Sequence, residues 1–226
     1  MSLCQSEKVS CGSCCGLFNL NIPITEYKTI LQDRTRDFES QTSFDKQYTF
    51  ATYRRNREQI ESTIPKKDET TYNCPFLGYI EPSQKKVGCL IHPQRTNDPS
   101  SQNYSFYGAS ICQTYDCKTK EKPTAELWRN FFSEMDLDFI EYSQIAANHR
   151  LIAAMEQYYQ EKGMYSLEEW MKREEVKIKK LLQESWERFQ FLTSFEFDYE
   201  SGSVLEKLAR ALGTSVENEI LTEWKN

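Results

Sequence analysis

Residues 10–15 read SCGSCC, three thiols within five positions and two of them adjacent. Thiolates are soft donors that bind metal ions and attack disulfides. A Cys-x-x-Cys spacing lets one tight turn aim two sulfurs at a single ion, and Gly12 and Ser13 suit that turn between Cys11 and Cys14. Cys15 is expected to face away from Cys14, so that the adjacent pair serves two metals or bridges two parts of a cluster. Five further cysteines make eight: Cys4, Cys74 in NCPFL, Cys89 in GCLIH, and Cys112 and Cys117 in ICQTYDC. Pro75 after Cys74 and Gly88 before Cys89 favour knuckle-like turns, and the Cys-x4-Cys pair at 112 and 117 can close a second chelate.

All eight lie between residues 4 and 117, a segregation hard to attribute to cysteine used as a small core residue. A static disulfide framework is unfavourable in a reducing compartment, and adjacent cysteines bridge each other only with strain. Metal ligation is the expectation. Seven or eight thiols exceed one four-ligand site. They fit two such sites, one cluster with spare cysteines, or a binuclear site with shared sulfurs. Softness selects zinc, an iron–sulfur cluster or Cu(I). The bacterial ferredoxin run is absent, and structural zinc is the commoner use of scattered cysteine knuckles. Zinc or iron therefore remain the cofactor expectations.

Other chemistries find less support. CGSC is also a redox dithiol, but that role needs a helix start within an alternating βαβ pattern, and none surrounds residue 11. Of two histidines, His92 is either an added ligand or a loop residue, and His149 falls on a helical pattern as a packed side chain. No serine–histidine–acid order, phosphate-cradling glycine loop or HExxH is present. A net charge of −6 disfavours nucleic acid, and Arg54, Arg55 and Arg57 read as a solvated helix face. No apolar run approaches the ~18 residues of a membrane span. MSLCQSEKVSC lacks the basic flank and apolar stretch of a secretory signal, so a cytoplasmic location is expected.

The elements that must position the thiols divide the chain near Lys122. Residues 1–122 carry 16 basic and 14 acidic side chains; residues 123–226 carry 12 and 20. In the first part, Phe18, Leu20 and Ile22 alternate with asparagines as a short strand would. Thr25 can cap a helix bearing Tyr27, Ile30 and Leu31, and a second helix is expected around Phe50–Ile60. From Pro65 to Lys122 the chain is rich in Pro, Gly, Asn, Ser and Gln, and metal crosslinks would supply what a conventional core does not. In the second part, Phe139 to Tyr159 recurs at helical spacing up to Gly163. Leu167 to Phe189 carries another stripe, with Leu167, Trp170, Met171, Ile178, Leu181, Leu182, Ser185 and Trp186 on it. Ser166/Glu169, Ser203/Glu206 and Thr214/Glu217 have the spacing of capping boxes. The expected fold is mainly α: an irregular, metal-organised, cysteine-rich N-terminal region (1–122) with little β, then an acidic helical, bundle-like part (123–226).

The order CGxCC, CPFL, GCxI and a final cysteine pair resembles the YkgJ-type cysteine-cluster family, described as a zinc- or iron-chelating domain. The resemblance covers about residues 4–117 and leaves the helical part unaccounted for. It implies Cys11, Cys14, Cys15, Cys74, Cys89, Cys112 and Cys117 as metal ligands. The family commonly has a cysteine two residues before its CGxCC unit; here Cys4 stands further upstream as the eighth candidate. His92 takes the place of an aromatic, and QRTNDPSSQNYSFYGAS replaces a short Arg-Pro link. Two functions are expected from this. One is a metal-binding protein in which the cysteines order the N-terminal half and the helical region binds a protein partner. The alternative is a metal- or iron–sulfur-dependent enzyme, protein-modifying by analogy with flagellin lysine methylases, which carry a related cysteine cluster.

Overall fold

The computed structural model describes residues 3–115, 117–163, 165–187 and 202–225. Phe189, expected on the second helical stripe, lies outside these residues. The chain divides into two compact units, Glu7–Cys117 and Lys118–Asn226, the latter joined by Met1–Ser6. The fold is mainly helical with little β.

Within Glu7–Cys117, α1 (Ile24–Gln41) buries Tyr27, Leu31, Arg34 and Phe38, and α2 (Tyr48–Glu61) buries Phe50, Tyr53, Arg57 and Glu61. Steps of three and four residues put each set on one helix face. β1 (Leu77–Tyr79) and β2 (Val87–Cys89) pair antiparallel with Leu77 opposite Cys89. Two short helices follow, α3 (Pro93–Thr96) and α4 (Gly108–Thr114). The core joins Phe38, Phe50 and Tyr53 to Cys74, Phe76, Leu90 and Ile91. The proline- and asparagine-rich stretch thus contributes fully buried apolar side chains of its own.

Three local expectations are corrected. The Phe18–Ile22 alternation is not a strand: Leu17–Asn19 is a single 3-10 turn, and Leu20 forms an isolated bridge with Lys66. Asn19 is buried together with Leu17, Phe18 and Leu20, its amide bound to the 68–71 loop, so the alternation of residue type is not an alternation of burial. Thr25 does not cap α1, which begins at Ile24 after Pro23 with no side-chain cap. Nor do the three arginines share a solvated face, for Arg57 is buried, donating to Glu61 at 2.7 Å and to Asp37 at 2.8 Å. Arg34, also buried, donates through Nε (2.8 Å) and Nη2 (2.5 Å) to the same Glu61. The two guanidiniums satisfy one buried carboxylate from both sides.

The second unit contains α5 (Ala125–Ser133), α6 (Phe139–Ala147), α7 (His149–Lys162), α8 (Leu167–Arg173), α9 (Glu175–Glu187), α10 (Val204–Ala211) and α11 (Glu219–Thr222). The long helix expected through residue 159 is broken at Asn148, whose ψ of 71 is not helical and whose side chain accepts from Leu151 N–H to cap α7. The next stripe breaks likewise at Glu174. Ser166/Glu169 and Ser203/Glu206 form reciprocal capping boxes, as does Asp138/Glu141. Thr214/Glu217 does not, because Asn218 caps the last helix. Glu156 of α7 accepts from Lys122 Nζ (2.8 Å), Trp128 Nε1 (2.9 Å) and the Thr124 hydroxyl. Tyr142 donates to the Leu3 carbonyl at 2.7 Å, fastening the first residues to this unit. No helix among the described residues is long and apolar enough to cross a membrane.

Candidate metal centre

Cys14 and Cys15 end a 3-10 turn closed by Cys15 N–H on Gly12 (3.2 Å) and Gly16 N–H on Ser13 (3.0 Å). The chain then reverses through Gly16 at φ 74, and a Cβ there would fall 2.2 Å from the Tyr72 carbonyl oxygen. Only glycine allows that approach and that backbone region. The close contact is secured by Asn73 Nδ2 on the Gly16 carbonyl (2.5 Å) and Cys74 N–H on the Cys15 carbonyl (3.0 Å). Asn19 orders the loop behind it, donating to the carbonyls of Asp68 and Thr71 and accepting from Asp68 N–H. Cys15 and Cys74 are brought side by side by these contacts.

Two matching turns present the next sulfurs. After Cys74, Pro75 directs the chain so that Leu77 N–H reaches the Cys74 carbonyl (3.2 Å) and Phe76 N–H donates to the Cys74 sulfur. After Cys89, at the end of β2, His92 N–H reaches the Cys89 carbonyl (3.1 Å) and Ile91 N–H donates to the Cys89 sulfur. Leu90 N–H to the Phe76 carbonyl (2.8 Å) ties the turns together. Arg34 Nη1 holds the Cys74 carbonyl at 3.0 Å. Cys112 sits on α4, its sulfur 3.4 Å from the Ser105 hydroxyl.

The electrostatics place five of these sulfurs in one neighbourhood. The Cys15 thiol is pushed well up by its hydrogen bonds with Cys14 and Cys74, then by burial. That contact corrects the expected orientation: adjacent Cys14 and Cys15 meet rather than diverge. Cys74 is held low by the hydrogen bond from Cys15, against burial, with Phe76 N–H and the Arg34 charge helping. Burial pushes Cys89 up to about 12, and negative charge on Cys74 and Cys112 adds to it. Burial also raises Cys112, and charge on Cys74 and Cys14 raises it further. Thiols so placed cannot all ionise together unless a cation replaces the protons.

Among the described residues, no three His, Cys, Asp or Glu side chains converge as a ready metal-ligand group. Charges interact over several ångströms, whereas ligation requires sulfurs about 2.3 Å from a common point. Protonated thiols that hydrogen-bond one another have no reason to converge on one. The donor chemistry itself, buried sulfur with backbone N–H donors behind it, fits a soft cation.

Of the other candidates, Cys11 and Cys117 lie half-buried in the same unit as the five, whereas Cys4 belongs with the helical unit. His92 is exposed and N-caps α3, its Nδ1 accepting from Gln94 N–H at 3.2 Å. Arg34, Asn19 and Asn73 have parts in the site that no local motif signals, since their partners lie tens of residues away. No protein-family model, curated protein or solved structure matches the chain.

Proposed function

We propose that Glu7–Cys117 is a thiolate metal-binding module that takes zinc, or iron as an iron–sulfur cluster. Cys14, Cys15, Cys74, Cys89 and Cys112 are its central donors, and Cys11 and Cys117 complete the set that the family resemblance implies. The observation that carries this reading is the clamp that sets Cys15 against Cys74 (Cys74 N–H on the Cys15 carbonyl, 3.0 Å), with the turn after Cys89 tied to the turn after Cys74 by Leu90 N–H on the Phe76 carbonyl (2.8 Å). The paired turns with N–H donors on Cys74 and Cys89 support it, because such bonds stabilise thiolate in preference to thiol. Against a use as apolar filling stands Cys74, a buried thiol held low by the hydrogen bond from Cys15.

The test is metal and acid-labile sulfide content of anaerobically purified protein, with its visible spectrum. Near-stoichiometric zinc in colourless protein, or iron with sulfide and a brown absorbance, is the expected outcome. Protein isolated without zinc, iron or copper, and unable to take them up after reduction, overturns the reading.

A further inference from the structure

The chain between Cys89 and Cys112 is anchored by side-chain hydrogen bonds and a ring contact. Ser101 Oγ donates to the Ile91 carbonyl (2.7 Å) and Thr96 Oγ1 to Ser101 Oγ (2.9 Å). Arg54 Nη1 donates to the Tyr104 carbonyl (2.9 Å), and the Tyr104 ring stands edge-on to Phe50 at 5.5 Å. Gln113 Nε2 closes the segment on Pro99 (2.8 Å).

From this fixed stretch two buried polar side chains face sulfur. Gln102, 5% exposed, directs Nε2 at Cys89 Sγ (3.7 Å), within reach for so large an acceptor. Its Oε1 is buried and has no hydrogen-bond partner among the described residues. Such an orphaned oxygen is costly, and the contact of its nitrogen with sulfur is what the amide gains in that position. Ser105, also 5% exposed, donates to the Gln102 carbonyl (2.8 Å), accepts from Gly108 N–H (3.2 Å) and lies 3.4 Å from Cys112 Sγ. A thiol at Cys112 can give its own proton to the Ser105 oxygen. A thiolate has none to give, so the hydroxyl hydrogen must turn from the Gln102 carbonyl to the sulfur.

We infer that Gln102 and Ser105 are positioning residues that donate hydrogen bonds to the metal-bound sulfurs of Cys89 and Cys112, and thereby set the metal affinity and electron-donating strength of that pair. The inference rests on the metal-binding reading and assigns a role to an insertion that otherwise looks like a connection. Hydrogen bonds to a ligating sulfur draw off charge and fix its direction, and loss of such a partner typically costs 10–100-fold in affinity.

The test titrates the full-length reduced chain anaerobically with Co²⁺ and follows the sulfur-to-cobalt charge-transfer band. Gln102→Met and Ser105→Ala are each expected to move the band to lower energy and to weaken Co²⁺ binding about tenfold. Ser105→Thr keeps the hydroxyl and is expected to retain the native band. The two sites are read separately, so one misfolded variant leaves the other decisive. A native chain that shows no thiolate–cobalt band overturns the zinc form of the metal-binding reading and this inference with it. A native band that neither variant moves overturns the inference alone. A change confined to the melting of the metal-free protein has the same meaning.

Discussion

Single residues carry the geometry of the thiol unit, and two of them are informative to change. Gly16→Ala adds a carbon that would meet the Tyr72 carbonyl oxygen at 2.2 Å, in a backbone region where side chains are strained. The expected cost is about 1–3 kcal/mol, read as a lower urea midpoint, together with weaker metal binding because Cys15 and Cys74 separate. A midpoint equal to that of the native chain would show that the 15–16 and 72–74 segments are not clamped as described. Glu61 is the other. Burial opposes its ionisation, but hydrogen bonds and charge from Arg34, then Arg57, outweigh burial and hold the carboxyl below the usual glutamate range. A depressed folded value means that this stabilisation is complete above the unfolded value and is lost as pH falls through the folded one. Stability of Glu7–Cys117 is thus expected to be flat around neutrality and to fall in acid below the ordinary carboxylate range. Glu61→Gln leaves buried Arg34 without its anion and Arg57 with Asp37 alone, with an expected loss of about 3–5 kcal/mol at neutral pH and a flattened acid limb. An unchanged acid limb in that variant would assign the acid sensitivity elsewhere.

At the scale of elements, helix ends decide where the sequence could be read. Ser203→Ala removes the side-chain acceptor for Glu206 N–H, and the expected cost is about 1 kcal/mol in thermal unfolding. Asn148→Ala costs more, because that side chain both caps α7 through Leu151 N–H and donates to Ser185 at 3.3 Å. Equal melting of the two variants would mean that the Asn148–Ser185 contact contributes nothing. The boxes at Ser166 and Ser203 were legible since a capping box is contained in four consecutive residues. The break at Asn148 was not, because the apolar spacing runs unchanged through it and only the backbone turns. The alternation at Phe18–Ile22 carries no strand because Asn19 is itself buried, its amide engaged by carbonyls some fifty residues away. Cysteine type and spacing pointed to the thiol region. They could not show that Cys14 and Cys15 meet, that Cys4 belongs to the helical unit, or that Gln102 and Ser105 stand behind the sulfurs. Those facts depend on which distant segments fold together. The burial of Arg57 depends on the same thing: Glu61 is one helical turn away, but Asp37 and Arg34 come from α1.

At the scale of the whole molecule, the two units are held by different means, and this determines what removal of the proposed metal would do. The helical unit buries large apolar side chains, among them Trp128, Trp224, Leu181 and Leu208, and closes its helices with three capping boxes. The thiol unit has a smaller aromatic core, a buried ionic cluster and the cysteines themselves. An ion bound only to the folded thiol unit stabilises that unit by mass action and leaves the helical unit to its own core. The chain offers a clean reporter, because its four tryptophans, Trp128, Trp170, Trp186 and Trp224, all belong to the helical unit. Treatment with a strong chelator is expected to leave the tryptophan-monitored unfolding transition in place. Over the same treatment, thiol reactivity and amide exchange within residues 7–117 should rise steeply, and a second, lower transition should appear by far-ultraviolet circular dichroism. Restored zinc should reverse both changes. A chelator that moves the tryptophan transition as far as the thiol signals would mean that the metal stabilises both units together. One that alters neither would mean that the thiols are not held by an ion, and the buried ionic cluster and aromatic core would then be sufficient to order the N-terminal unit.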